Sequence, residues 1–323
     1  MMFRILISML LPVCLLWAEE MSVMAQPQPS GDIEKIISSD DHFYMNAGWA
    51  PDGKAFAFSA EKYNGIWISD AGGDSIRKLT SDRGAGFGFS WSPDGRMLLA
   101  RPVVEKDGKR FHQVKLYDVE TGKEELLLHA SRSLDRLPVW GEGGRKVIVK
   151  KDGRKEALKT GKGNLKSRFS EGDKSLDFGG ALVTVPDRDE INVDDVEFPD
   201  FADRYVFNCQ VSPDGEKMVF EVSGLGLFVA NTDGSEKRNI GRGEHASWMP
   251  GSRFVVVTRV EDDGHIITSG DLFAVDTETG EYFPLLAHDD VIALKPSVSP
   301  QGNKVLFNDP RTGDIYIMEI SNR

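Results

Sequence analysis

Cysteine is nearly missing from this chain of 323 residues: Cys14 and Cys209 are the only two. Cys14 lies in an apolar N-terminal stretch that reads as a leader, so an internal disulfide is excluded for the exported form. A chain of about 300 residues buries enough apolar surface to fold without such staples. Cys209 sits in an apolar run and reads as a packed, inert thiol rather than a nucleophile. Basic charge is also short: 39 Lys and Arg face 51 Asp and Glu, a net charge of −12. That balance argues against nucleic acid, which rewards basic surfaces. After the N-terminus no stretch approaches the roughly 20 apolar residues that span a bilayer.

Catalytic signatures are equally scarce. The six histidines are His42, His112, His129, His245, His265 and His288. No two have the close helical spacing of a zinc site. Gly88-Phe89-Ser90-Trp91-Ser92 begins like a nucleophile elbow but ends in Ser, in a β-rich context without the strand-to-helix turn an elbow needs. Asp-rich stretches such as Asn231-Thr232-Asp233-Gly234 lack the twelve-residue calcium pattern ending in Glu and read as hairpin turns. No cofactor or metal is implied at this level.

What the chain does have is a repeat. Gly48-Trp49-Ala50-Pro51-Asp52-Gly53 and Ser90-Trp91-Ser92-Pro93-Asp94-Gly95 are its clearest copies. Gln210-Val211-Ser212-Pro213-Asp214-Gly215, Ser247-Trp248-Met249-Pro250-Gly251 and Ser297-Val298-Ser299-Pro300-Gln301-Gly302 follow, and Val139-Trp140-Gly141-Glu142-Gly143 is a degenerate copy. A period of about 40 residues marks a repeat architecture. Pro presets φ for a tight turn, Asp bonds the turn backbone, and Gly takes the positive φ that closes it. The flanking runs, such as Lys54–Ser59 and Lys217–Val222, are apolar on nearly every residue, as suits strands covered on both faces. A third strand (Gly65–Ser69, Val114–Val119, Asp271–Asp276), a second turn and a fourth strand (Ile76–Thr80, Glu124–Leu128, Glu281–Leu286) complete each unit. Four short antiparallel strands stacked on like neighbours describe a β-propeller blade.

These motifs resemble the β-propeller repeat of the TolB family, which also occurs in the propellers of prolyl-oligopeptidase-type enzymes. The resemblance runs from about residue 31 to the C-terminus. It implies a propeller; it does not imply the hydrolase domain of those enzymes, for which the sequence has no room, or the additional N-terminal domain of TolB.

Trp49, Trp91, Trp140, Val211, Trp248 and Val298 mark six innermost strands, so an all-β, six-bladed propeller is expected. The long gap between Trp140 and Val211 reads as an insertion in blade three at about residues 160–200, in preference to a seventh, eroded blade. The last blade lacks a fourth strand, and Asp32–Ser38 has no blade of its own, so the N-terminal segment is expected to close the ring and remove its exposed edges. Residues 26–323 are then one propeller domain, expected to be a monomer.

Residues 1–25 read as a signal peptide: Arg4, an apolar stretch from Ile5 to Ala18, and a small-residue cleavage site at Val23-Met24-Ala25. The expected location is periplasmic or secreted, with envelope or secreted proteins, or a carbohydrate, as partners. Charge within blade three is polarised. Basic residues crowd 145–168 and acidic ones 187–203, either as two solvated, mutually attracting surfaces or as an interaction surface.

Innermost strands line a propeller's channel. The position three before each marker holds Asn46, Gly88, Leu137, Asn208, His245 and Lys295. Several of these are expected to face one polar funnel, with Arg136 and Glu244 flanking its mouth. Two functions fit: a non-catalytic interaction or ligand-binding scaffold of the cell envelope, or a carbohydrate-active lyase or hydrolase with its site in the funnel.

Overall fold

The structure is a computed structural model that describes residues 26–134, 136–160, 198–287 and 290–322, with the backbone alone of 173–177 and 182–186. The expected signal peptide and most of the charged insertion, including residues 187–197, lie outside the described residues.

The chain forms the six-bladed, all-β propeller that the repeat implies. Blade one is Met45–Trp49, Ala55–Ser59, Ile66–Asp70 and Ile76–Thr80, each strand antiparallel to the next. Blade two is Ser90–Trp91, Met97–Ala100, Lys109–Asp118 and Glu124–Ser131. An extra strand, Val103–Lys106, pairs back on the third. That extension was illegible in sequence, because Glu105-Lys106-Asp107-Gly108-Lys109-Arg110 carries no apolar alternation. In blade three the described strands are Val139–Gly141, Lys146–Lys151 and Arg154–Lys159. Backbone segments Asp173–Asp177 and Leu182–Pro186 pair with each other. Blade four is Val206–Val211, Lys217–Val222, Gly226–Asn231 and Arg238–Gly241. Blade five is Glu244–Trp248, Phe254–Asp262, Ile267–Asp276 and Tyr282–Leu286.

Blade six closes the ring. Leu294–Val298, Lys304–Asn308 and Ile315–Asn322 come from the C-terminal end, and the outer strand, Pro27–Ile37, comes from the N-terminal end. The pairing is antiparallel, with Ile33 opposite Met318 and Lys35 opposite Tyr316, and Lys35 Nζ lies 2.7 Å from Asp314 Oδ2. The strand is longer than its apolar part suggested, because Pro27 and Pro29 are tolerated on an outer edge.

The core lies between blades. Trp49, Phe56 and Phe58 of blade one pack on Leu306, Ile315 and Ile317 of blade six, and equivalent clusters fill the interfaces of blades one and two, two and three, four and five, and five and six. Outside blade three, both faces of the second strands are therefore buried, which is why those runs are continuously apolar. The marker tryptophans do more than fill space. Trp49 Nε1 donates to the Ser297 carbonyl at 3.1 Å, Trp91 to Gly48 at 3.3 Å, and Trp248 to Gln210 at 3.1 Å. Each indole thus reaches the residue before the marker of the preceding blade.

The Pro-Asp-Gly turns lie on what we call the lower face, and the innermost strands begin at the upper face. Near its upper end the innermost strand bulges. Register shifts fall between Met45 and Gly48, Phe207 and Gln210, Glu244 and Ser247, and Leu294 and Ser297. The bulged residues are left-handed: Asn46 has φ 56°, Asn208 50°, His245 53° and Lys295 54°. A bulge opposes two residues to one and re-aims a side chain.

Candidate functional site

The same bulge position, three before the marker, carries the side chains that the sequence assigned to the funnel. Four of them join in two contacting groups. Lys295 Nζ donates to Asn46 Oδ1 at 2.6 Å, and Asn46 Nδ2 donates to the Gly86 carbonyl at 3.2 Å. Lys295 Nζ also stands 5.8 Å from the Tyr63 ring centroid. On the other side, Asn208 Nδ2 donates to Glu221 Oε1 at 2.8 Å and lies 3.2 Å from His245 Nδ1. The His245 backbone N–H donates to the same Glu221 oxygen at 2.8 Å. With Asn208 as donor, His245 Nδ1 accepts, which leaves the proton of the neutral ring on Nε2.

The electrostatics link the groups. Burial, reinforced by the Lys295 charge, pushes His245 down to about 4, so the ring is neutral at pH 7. Burial lowers Lys295 below the ordinary lysine value. Burial also raises Glu221, against the hydrogen bonds from Asn208 and His245, and the Glu244 charge adds to the rise. Left-handed non-glycine residues and shifted ionisable groups in one place are the usual marks of a functional site.

The remaining predicted positions sit elsewhere. Glu244 is exposed at the start of its strand and borders a groove of about 480 Å³ between blades four and five, with Glu221, Phe207, Arg242, Arg259 and Asp271. Arg136 is exposed on the blade three side, and its carbonyl accepts from Arg101 Nη1 at 3.3 Å. Gly88 and Leu137 form an apolar sector. A Cβ on Gly88, which has φ 65°, would meet the Leu137 side chain at 2.2 Å, so that glycine makes room for Leu137. The polar contacts among these positions come from blades one, four, five and six.

Glu221 escaped the sequence reading because it lies in a second strand, Lys217–Val222, that reads as core. The available signal was the carboxylate itself, flanked by Met218-Val219-Phe220 and Val222. Its position pairs with Phe207, and Ser59, Thr258 and Asn308 hold the corresponding place opposite the bulge in blades one, five and six. Among the described residues no group of three or more His, Cys, Asp or Glu is placed to hold a metal ion; His288 lies outside them. Ser90 of the elbow-like motif is a buried strand residue, and Cys209 Sγ packs 3.7 Å from Met218 Sδ.

No protein-family model matches the chain, and no curated protein matches its sequence. Solved structures do share its architecture. The β-propeller domain of Cps50 (Swd1) from Myceliophteria thermophila aligns with a TM-score of 0.58 at 11% identity, covering 92% of this chain and 100% of that one. An oligogalacturonate lyase from Vibrio parahaemolyticus aligns with a TM-score of 0.53 at 15% identity, covering 91% and 98%. TolB from Acinetobacter baumannii aligns with a TM-score of 0.43 at 12% identity, covering 85% of this chain and 63% of that one. At such identities the likeness shows the propeller fold alone, a fold that serves unrelated functions.

Proposed function

We propose that this chain is an exported, non-catalytic binding propeller of the cell envelope, and that the funnel mouth is where it takes its ligand or partner. One observation supports the reading: Asn46, Lys295, His245, Asn208 and Glu221, from four separate blades, form two hydrogen-bonded groups, and the Lys295 charge acts on His245. Lys295 Nζ and His245 Nε2 supply donors, Glu221 supplies an acceptor, and Tyr63 supplies an apolar wall. Polar groups gathered from several blades suit capture of a small polar ligand or a protruding segment of a partner protein. Export rests on the N-terminal sequence pattern; mature protein beginning near Gln26, without an acyl group on Cys14, is the expected product.

The test compares wild-type protein with His245→Ala and Lys295→Met as baits for envelope extract and for a panel of neutral and acidic oligosaccharides. Loss of a wild-type ligand in both variants, with their fold intact by circular dichroism, is expected. Unchanged capture by both would remove the site from the funnel.

A second reading is favoured by one specific feature. Burial lowers the pKa of Lys295, which raises the share of neutral amine able to accept a proton. This would serve a carbohydrate-active lyase or hydrolase with its site in the funnel. Turnover of acidic oligosaccharides by the wild type, abolished in Lys295→Met, would establish that reading over the first.

A further inference from the structure

The interface between blades two and three changes character along its length. On the blade two side, Leu99, Val114 and Leu116 are buried against Leu134, Trp140, Val147 and Val149. Strand residues alternate between faces, so the same column continues at every second position. Leu99 is opposite Leu116, and two residues beyond Leu99 stands Arg101. Two residues before Val114 stands His112, with Arg110 two further on. The column is therefore apolar in its lower part and basic at the upper rim.

Arg101 faces blade three, as its 3.3 Å bond to the Arg136 carbonyl shows. Its Nε is buried without a hydrogen-bond partner, and so is Nδ1 of His112. Among the described residues no carboxylate forms an ion pair with Arg101 or His112, and burial alone lowers the Arg101 pKa. Burial also lowers His112, with the Arg101 and Arg110 charges adding to it. Arg101 is only partly buried, but its Nε is not open to water, and orphaned buried polar atoms are rare in folded proteins. Two of them on one column, with two arginines converging, form a place built for negative charge.

We propose that the rim between blades two and three binds an oxyanion, a carboxylate or phosphate group, through the Arg101 guanidinium and the His112 ring. A planar guanidinium matches the paired oxygens of such a group. His112 presents Nδ1–H to it, and Arg110 adds positive charge from the solvent side. The site is separate from the funnel contacts of Lys295 and His245, and stands whether or not those bind anything.

Thermal melts with inorganic phosphate and with glucuronate, against sodium chloride at equal ionic strength, probe the two sources of such a group. The wild-type melting temperature is expected to rise saturably with at least one of them, and the responding anion identifies the source. Arg101→Leu, which extends the apolar column, is expected to lose that response and to melt no lower than the wild type in anion-free buffer. No saturable rise with either anion, or an equal rise in Arg101→Leu, would overturn the proposal. If Arg101→Leu fails to fold, the His112 ring resonance decides the matter in the wild-type protein, with its signal identified by its loss in His112→Asn. Binding of the anion must raise its titration midpoint, and a midpoint indifferent to both anions overturns the site.

Discussion

At position 295 the backbone is left-handed, with φ 54°, and the side chain is a half-buried ammonium resting on Asn46 Oδ1 and the Tyr63 ring. Left-handed geometry costs a β-carbon-bearing residue about 1 kcal/mol, a penalty glycine escapes. Its folded pKa is lowered, so its charge works against folding at every pH below that value. Lys295→Gly is therefore expected to raise stability by about 1 kcal/mol or more in urea melts while impairing ligand capture. A loss of stability instead would show that the Asn46 bond outweighs both costs. His245 gives a pH signature. Its folded pKa of about 4 lies below the ordinary 6.5, so the stability it contributes is complete above pH 6.5 and is lost as pH falls toward 4. A tenfold change in a protonation equilibrium corresponds to about 1.4 kcal/mol. His245→Gln should flatten the acid limb of the stability–pH curve by an amount on the order of 1–3 kcal/mol. Glu221 titrates with the opposite sign: its raised pKa means stability lost as pH rises through the folded value. The wild-type curve holds both, and the difference between wild type and His245→Gln isolates the histidine.

Blades are joined by a few specific bonds over broad apolar faces. Trp91→Phe keeps most of the apolar volume but strands the buried Gly48 carbonyl, which should cost about 1–3 kcal/mol. A melting temperature matching the wild type would mean the indole acts by packing alone. Deleting residues 26–40 removes Lys35 from Asp314, uncovers Ile317 and leaves Ile315–Asn322 as a bare edge. A large fall in melting temperature with concentration-dependent aggregation is expected; unchanged melting would contradict the closure. These elements also show what sequence could reveal. Turn chemistry at Pro51-Asp52-Gly53 and its copies, with continuously apolar second strands, displayed the blades and their number. Spacing from the markers singled out Asn46, Asn208, His245 and Lys295, which share a bulge because it recurs at a fixed distance from each turn. Glu221 stayed hidden, since pairing across strands and blades, not local pattern, brings it to His245. The Val103–Lys106 extension stayed hidden for want of apolar alternation.

In a closed ring each blade is flanked on both sides, so the molecule has no terminal repeat from which to fray. It should unfold as one unit. Trp49, Trp91, Trp140 and Trp248 report from four blades, and their fluorescence should follow the same urea transition as far-ultraviolet circular dichroism. Separate transitions would show that blades melt independently. The seam of the ring also sets an order in time. Pro27–Ile37 is made well before its partner, Ile315–Asn322, so it must wait unpaired while the blades between them assemble. Pro27 and Pro29 break its hydrogen-bonding row, and Asp32, Glu34 and Lys35 keep it soluble, which makes it a poor template for wrong neighbours. The seam is a latch that stays inert until Ile315–Asn322 arrives.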